Sequence, residues 1–426
     1  MLPTNFTFSA SERGAIGSRM LGTTDTVKIH IDDARRERTG IHARIIFIVN
    51  ERVVQFDNIN LEKGDQRNRF CRDVSRNLSD SIMAVYSEKA ITHDVGMICQ
   101  AVINWDMDNL IIDYIAPDEQ PKPLTFPIYP YILDTAGSII FAPPGTGKSY
   151  AALIMGMCIA NGLTSPFNAL QRPVVYVNLE RPRNTFLMRD HAVRHALGFP
   201  DNRGSGVGYI HARGTSLKAV VRNIERETRG RPDTVVILDS ISRTGLGTLL
   251  DDTTANQFTD IMNSLGMTWL GIGHTPRGDD KHVFGSVHFT AGCDIETRIV
   301  GSEHGHTLNL MLETVKSNDG PRNYKHAIAL EFSGDQPGGL ISIREIGVDD
   351  PDLVAQSSDA GFQIAQAIDR LGGKATASQI AEEIPSMYAN NITRTLRDPK
   401  RDFVELGKEG RENYYGNKPH VYHDTH

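Results

Sequence analysis

Residues 138–150 read Ser-Ile-Ile-Phe-Ala-Pro-Pro-Gly-Thr-Gly-Lys-Ser-Tyr: an apolar run, a Pro/Gly loop, then Gly147-Lys148-Ser149 opening a helix. A loop with little side-chain bulk lets backbone N–H groups converge on phosphate oxygens. The helix behind it aims its positive dipole end at the same anion. Pro144, Gly145, Thr146, Gly147, Lys148, Ser149 and Tyr150 are therefore read as the nucleotide-binding set. Lys148 would neutralise the β- and γ-phosphates, and the Ser149 hydroxyl would ligate Mg²⁺. The usual pattern starts with Gly five residues before the Gly-Lys pair; Ala142 stands there in this chain.

Working outward, residues 131–346 alternate strand and helix, which predicts an α/β domain with a mainly parallel sheet covered on both faces. The segment Val174–Glu180 is an apolar strand running into an acid, and so is Thr234–Asp239. In a parallel sheet ligands sit beyond the carboxyl ends of the strands, so Glu180 and Asp239 are placed to reach the pocket of Lys148. A carboxylate at Glu180 can position and polarise an attacking water, or be a solvated strand-end acid. Asp239 suits the metal side of the site. A third strand, Thr268–Gly273, leads to His274, read as a γ-phosphate sensor or as a satisfied strand-end histidine. No Asn-Lys-x-Asp base-reading motif occurs, which favours ATP over GTP.

The order of P-loop, Leu179-Glu180-Arg181-Pro182, the Ile237-Leu238-Asp239-Ser240 strand end and Gly273-His274-Thr275 resembles the RecA/DnaB-like ATPase core. Within that group the chain is most similar to the RepA-type hexameric helicases of plasmids and phages. The Gly285-Ser286 dipeptide and the segment Leu312–Gly320 extend the likeness. The resemblance implies Glu180 as the catalytic carboxylate, Asp239 as the metal-side acid, His274 as the sensor and Lys316 as a finger reaching the next subunit's nucleotide. Where the family often carries a further Arg, this chain has Asn318. The resemblance also implies a central channel lined by Ser242–Thr259 and Thr275–Cys293. Arg243, Arg277 and Lys281 are the candidate DNA contacts there, beside Asp251, Asp252, Asp279 and Asp280. Phe284 and Phe289 could stack on bases or pack inward.

The rest of the chain divides on composition. Residues 1–25 are polar and read as a flexible arm, and 26–116 as a small N-terminal α/β domain with a hairpin turning near Asn50-Glu51. Residues 117–130 are Pro-rich and read as a linker, and 347–360 as a second, polar one. Residues 361–426 predict three helices and a β-hairpin, an arrangement that resembles a winged helix. Arg394, Arg397, Lys400 and Arg401 cluster at its third helix, where a recognition helix would meet phosphates. Contacts to protein are the other reading of that tail.

Lys+Arg 45 against Asp+Glu 52 gives a net charge of −7, which excludes a generally basic nucleic-acid coat. The four cysteines, Cys71, Cys99, Cys158 and Cys293, show no Cys-x-x-Cys pair, which points to a reducing, cytoplasmic setting. No apolar run is long enough to span a membrane. The expectation is an ATP- and Mg²⁺-dependent, self-associating ATPase, most simply a hexameric helicase acting on single- or double-stranded DNA. The N-terminal domain would carry oligomerisation or a replication or recombination partner. A non-translocating DNA-binding ATPase and an ATP-gated interaction module are the alternatives.

Overall fold

The computed structural model describes residues 6–11, 14–37, 39–108, 115, 118–276, 281–334, 339–410 and 412–418. The chain divides into two compact units, Met1–Lys122 and Pro123–His426.

The N-terminal unit is a five-stranded antiparallel meander, β1 (Thr7–Ser11), β2 (Gly14–Leu21), β3 (Asp25–Glu37), β4 (Gly40–Val49) and β5 (Arg52–Asn60). Three helices follow: α1 (Gly64–Asn77), α2 (Asp80–Val85) and α3 (Glu88–Asp108). The Asn50-Glu51 turn lies between β4 and β5 and puts both residues at positive φ. Strict alternation along β4 buries Ile41, Ala43, Ile45, Phe47 and Val49 against the helices. Residues 7–11 and 14–21 correct the expected loose arm: they form two strands. Their inward positions are Ala15, Gly17, Arg19 and Leu21, so the apolar alternation is hidden by small residues and one charge. Arg19 is buried because Asp94 of α3 accepts both Nε (2.6 Å) and Nη2 (2.7 Å), and the Tyr86 hydroxyl donates to the same carboxylate. Basic residues of this unit pair with acids: Arg36 with Asp106, Arg69 with Asp57 and Arg76 with Asp73.

The second unit is built on a nine-stranded sheet. Its parallel part comprises β6 (Gly137–Ala142), β7 (Val174–Asn178), β8 (Val207–His211), β9 (Val235–Asp239) and β10 (Thr268–His274). The crossovers are α4 (Lys148–Asn161), α5 (Arg183–Ala196), α6 (Leu217–Thr228) and α7 (Asp252–Ser264), then a short α8 (Val287–Gly292). β11 (Ile295–His304) joins β6 in parallel, and β12 (Thr307–Ser317), β13 (Lys325–Phe332) and β14 (Leu340–Ile346) add antiparallel. The strand order is β14-β13-β12-β11-β6-β10-β9-β7-β8. α4 is buried on all sides from Tyr150 to Ile159, which accounts for its uniformly apolar sequence. The end of the expected Pro-rich linker is part of this unit: Ile128 is fully buried and bridges Ile132 and Ala169.

The expected second linker is also corrected. Residues 351–356 form α9 (Pro351–Gln356), which buries Leu353 and Val354. Ser357 and Ser358 then donate to the fully buried Glu313 of β12. The tail continues as α10 (Ala360–Arg370), β15 (Ala375–Thr376), α11 (Ala377–Glu383), α12 (Ala389–Leu396), β16 (Phe403–Glu409) and β17 (Glu412–Asn417). Its strands form a small sheet of order β15-β17-β16. Thr376 and Gln379 close a reciprocal capping box at the start of α11. Asp359 joins sheet to tail through Lys325 (3.2 Å) and Arg401 (2.8 Å). Burial works against its charge, but Lys325 and Arg401 hold its carboxyl below the ordinary carboxylate value.

Candidate nucleotide site

All the parallel strands end on one side of the sheet, and that is where the predicted groups meet. A cavity of about 420 Å³ is lined by Gly145, Gly147, Lys148, Ser149, Glu180, Asp239 and His274, among others. The strand register brings them together: Ala142 lies beside His274, and Asn178 beside Asp239. Gly145 and Gly147 adopt φ of +87° and +97°, and Gly147 is the left-handed N-cap of α4. Only glycine takes that conformation without strain. Ala142, by contrast, is the fully buried last residue of β6 and is not among the positive-φ residues, so its place demands no glycine.

Lys148 is 5% exposed, and its amino group donates to the carbonyls of Ala142 (2.8 Å) and Pro143 (2.7 Å). Burial pulls its pKa down to about 8, against the opposing pull of Glu180 and Asp239. Asp239 is 1% exposed; one oxygen accepts from the Tyr176 hydroxyl at 2.8 Å, and the other, Oδ1, has no partner among the described residues. Burial raises its pKa, against the hydrogen bond from Tyr176. A buried carboxylate oxygen left open beside a serine hydroxyl fits a hydrated divalent cation, so Ser149 and Asp239 are suited to hold Mg²⁺.

Glu180 lies just beyond β7. Its turn is fixed by Asn178, whose side chain accepts from Arg181 N (2.9 Å) and donates to Arg181 O (2.9 Å). The Ser240 hydroxyl donates to Glu180 Oε2 at 3.0 Å. His274 ends β10 half-buried, its Nδ1 without a partner among the described residues. Burial, then nearby Lys148, lowers its pKa, so the imidazole is neutral near pH 7. Tyr150 is 8% exposed and meets Phe332 edge-on at 5.5 Å.

Two cations went unread in the sequence. Arg181 and Arg189 line the same cavity, and the Arg189 guanidinium lies 4.5 Å from the Tyr150 ring centroid. Burial, then Arg181, holds Arg189 below its ordinary value, as expected of cations set to receive a polyanion. The available signal was a cation on the helix that leaves the Glu180 turn.

Lys316 is not brought to this cavity. Its amino group sits on the carbonyls of Thr290 (2.7 Å) and Cys293, at the end of α8. The two expected channel loops are corrected in part. Residues 252–259 are the first half of α7, and 287–292 are α8. Asp251 caps α7 by accepting from Thr253 N, and Asp252 accepts from the Ser286 hydroxyl at 2.5 Å. Gly285 is at φ +127°, where a Cβ would lie 2.7 Å from Leu249 O, and Ser286 caps α8. The Gly-Ser pair thus ties one loop to the other. Phe289 is 1% exposed against Phe258, so it packs inward, while Phe284 is 37% exposed. Arg243 and Lys281 are exposed, and Arg277 lies outside the described residues. In the tail Arg394, Arg397 and Lys400 are exposed, whereas Arg401 is taken by Asp359.

No helix among the described residues is long and apolar enough to cross a membrane. Comparison with known proteins adds the following. A family described as an AAA domain matches residues 80–280. No curated protein matches the chain. Among solved structures, the flagellar accessory protein FlaH from Methanocaldococcus jannaschii is similar at 18% identity, over 50% of this chain and 90% of FlaH, with a TM-score of 0.33. The matched stretch contains the Gly145–Ser149 loop, Glu180, Asp239 and His274, all of which line the cavity.

Proposed function

We propose that the protein hydrolyses ATP with Mg²⁺ and couples turnover to DNA as a ring-forming helicase or translocase. The observation that supports the chemistry best is the set of buried groups in one cavity: among the described residues, Asp239 Oδ1 and His274 Nδ1 are unpartnered, and the Lys148 ammonium is held by two carbonyls with no carboxylate paired to it. The phosphates would complete Lys148 and His274, and a hydrated cation would complete Asp239. On this reading Glu180 holds the attacking water and takes its proton, with Ser240 fixing the carboxylate. Lys148, Arg181 and Arg189 offset the charge gathering on the phosphate oxygens. Ser149 and Asp239 would hold Mg²⁺, which would supply charge neutralisation to the phosphates. His274 reports the γ-phosphate as a neutral hydrogen-bonding group.

Self-association is supported by Lys316. The family resemblance gives it to a nucleotide site, yet it lies outside the cavity of its own chain. It would therefore serve a neighbouring copy, with release from the α8 carbonyls as part of engagement. DNA contact is supported by Arg394, Arg397 and Lys400 around α12, and by Tyr388 at its N-terminus, 81% exposed. We read the tail's helix–strand–helix–helix–hairpin order as a winged helix that uses α12 for DNA. The N-terminal unit is read as the partner-docking or oligomerisation domain.

The test is ATP turnover with and without single-stranded DNA, in wild type and Glu180→Gln. The variant is expected to lose at least about two orders of magnitude in kcat while still binding ATP. Full turnover in Glu180→Gln would sink the assignment. Strand displacement on a tailed duplex then separates motor from switch, since turnover without displacement supports a non-translocating DNA-binding ATPase.

A further inference from the structure

We propose that the tip of the β11–β12 hairpin reads the nucleobase, with the Glu303 carboxylate accepting a hydrogen bond from an exocyclic amino group such as that of adenine. The inference rests on the nucleotide reading and adds a selectivity element to it. Lys148, Ser149, Glu180, Asp239 and His274 fix the phosphate end of the cavity. Its remaining wall comes from the antiparallel half of the sheet. Leu308 and Phe332 are apolar, and Glu303, His306 and Thr307 form a polar rim. Apolar walls with a few polar groups at the edge are what a stacked, edge-read aromatic ring requires.

The tip is held in place from three directions. Against the P-loop the packing leaves no slack: a Cβ on Gly147 would lie 3.1 Å from Leu308 and 3.2 Å from Leu310, and one on Gly301 3.1 Å from Thr146. On the far side, Phe332 N donates to His306 O at 2.8 Å. Next to α9, His304 approaches Asp350 (3.6 Å) and Asp352 (3.4 Å), and Asn309 donates to Asp350 at 2.9 Å. Asp350 also caps α9, accepting from the backbone of Asp352 and Leu353. His304, Asp350 and Asp352 are thus an anchor, and the Glu303 side chain beside them has no hydrogen bond or ion pair among the described residues. Glu303 is exposed on that fixed tip at the rim of the cavity, so its carboxylate is open to a donor on a bound ligand. An ionised carboxylate only accepts, so it distinguishes an amino group from a keto oxygen. A keto group in place of the amino group would set two acceptors against each other with no proton between them.

The experiment measures binding of ATP, ITP and inorganic tripolyphosphate to the full chain. ITP replaces the 6-amino group with a keto oxygen; tripolyphosphate has no base. Wild type is expected to prefer ATP over ITP by about tenfold or more. In Glu303→Ala that ratio should fall close to one, with tripolyphosphate affinity the same in both proteins. Equal affinity of wild type for ATP and ITP overturns base reading by the hairpin. An unchanged ATP-to-ITP ratio in Glu303→Ala, with the variant's melting temperature preserved, overturns the assignment to Glu303. Failure of wild type to bind ATP or tripolyphosphate at all overturns the nucleotide reading instead.

Discussion

The phosphate end of the cavity and the basic face around α12 hold charge in opposite ways. At the cavity, Lys148 and Asp239 are almost wholly buried, and polar atoms on Asp239, His274 and Arg181 lack partners among the described residues. Around α12, Arg394, Arg397 and Lys400 stand in water. Burying a charge without a full set of partners destabilises a fold by kilocalories; leaving one exposed does not. The cavity therefore suits a polyanion with a divalent cation, whose charges would offset that penalty. The tail surface carries no such penalty and fits any polyanion.

That contrast breaks first at Lys148. Lys148→Met should reduce ATP hydrolysis by at least about a hundredfold, since the charge facing the β- and γ-phosphates is gone. The same substitution should stabilise the nucleotide-free chain. Burial lowers the Lys148 pKa from 10.5 to about 8. Between those values the unfolded chain binds more protons, so stability rises with pH in that window, and the burial penalty is complete below about pH 8. The shift corresponds to about 3 kcal/mol at most. Chemical denaturation from pH 7 to 10.5 checks it: the gap between variant and wild type should shrink as pH rises through 8. A variant less stable than wild type at pH 7 would show that the carbonyls of Ala142 and Pro143 outweigh burial.

The other pole of the comparison is sharpened by replacing Arg394, Arg397 and Lys400 with Gln. ATP turnover without DNA should stay near wild type, because none of the three lines the cavity. Affinity for DNA should fall, and the log–log salt slope should flatten by up to about 2.7 if each side chain neutralises one duplex phosphate. An unchanged slope, measured by fluorescence anisotropy at several salt concentrations, would assign the tail to protein contacts. Arg401 is left out of the set because Asp359 already holds it.

The cavity was legible because its phosphate end depends on short local patterns at strand ends, each of which the sequence shows within a few residues. The P-loop, Glu180, Asp239 and His274 each terminate or follow a buried parallel strand, and parallel strands end together. What stayed hidden depends on contacts distant in sequence. Glu303, Leu308 and Phe332 reach the cavity through an antiparallel extension whose place in the sheet no local period reveals. Residues 14–21 read as an arm because the buried side of β2 is Ala, Gly, Arg and Leu, and Arg19 is buried only by virtue of Asp94, far along the chain. Residues 347–360 read as a linker because their polar groups, Ser357 and Ser358, bond to a buried Glu313 that the local sequence does not reveal.

The smallest effect tests the acids that made the channel loops read as charge-balanced. Asp251 accepts from Thr253 N as the N-cap of α7, and Asp252 accepts from Ser286. If their task is capping and loop tethering, their charge is not what governs DNA affinity. Asp251→Ala should then destabilise the chain by about 1 kcal/mol, the usual loss for a removed cap. Asp251→Asn keeps a capping oxygen and drops the charge, so its stability should stay within a few tenths of a kcal/mol of wild type. Its DNA affinity should also match wild type within about twofold, since one exposed charge contributes little at physiological salt. A several-fold gain in DNA affinity for Asp251→Asn, with the melting temperature unchanged, would instead place Asp251 directly against the nucleic acid. The loops would then join the tail as a second, electrostatically restrained binding surface.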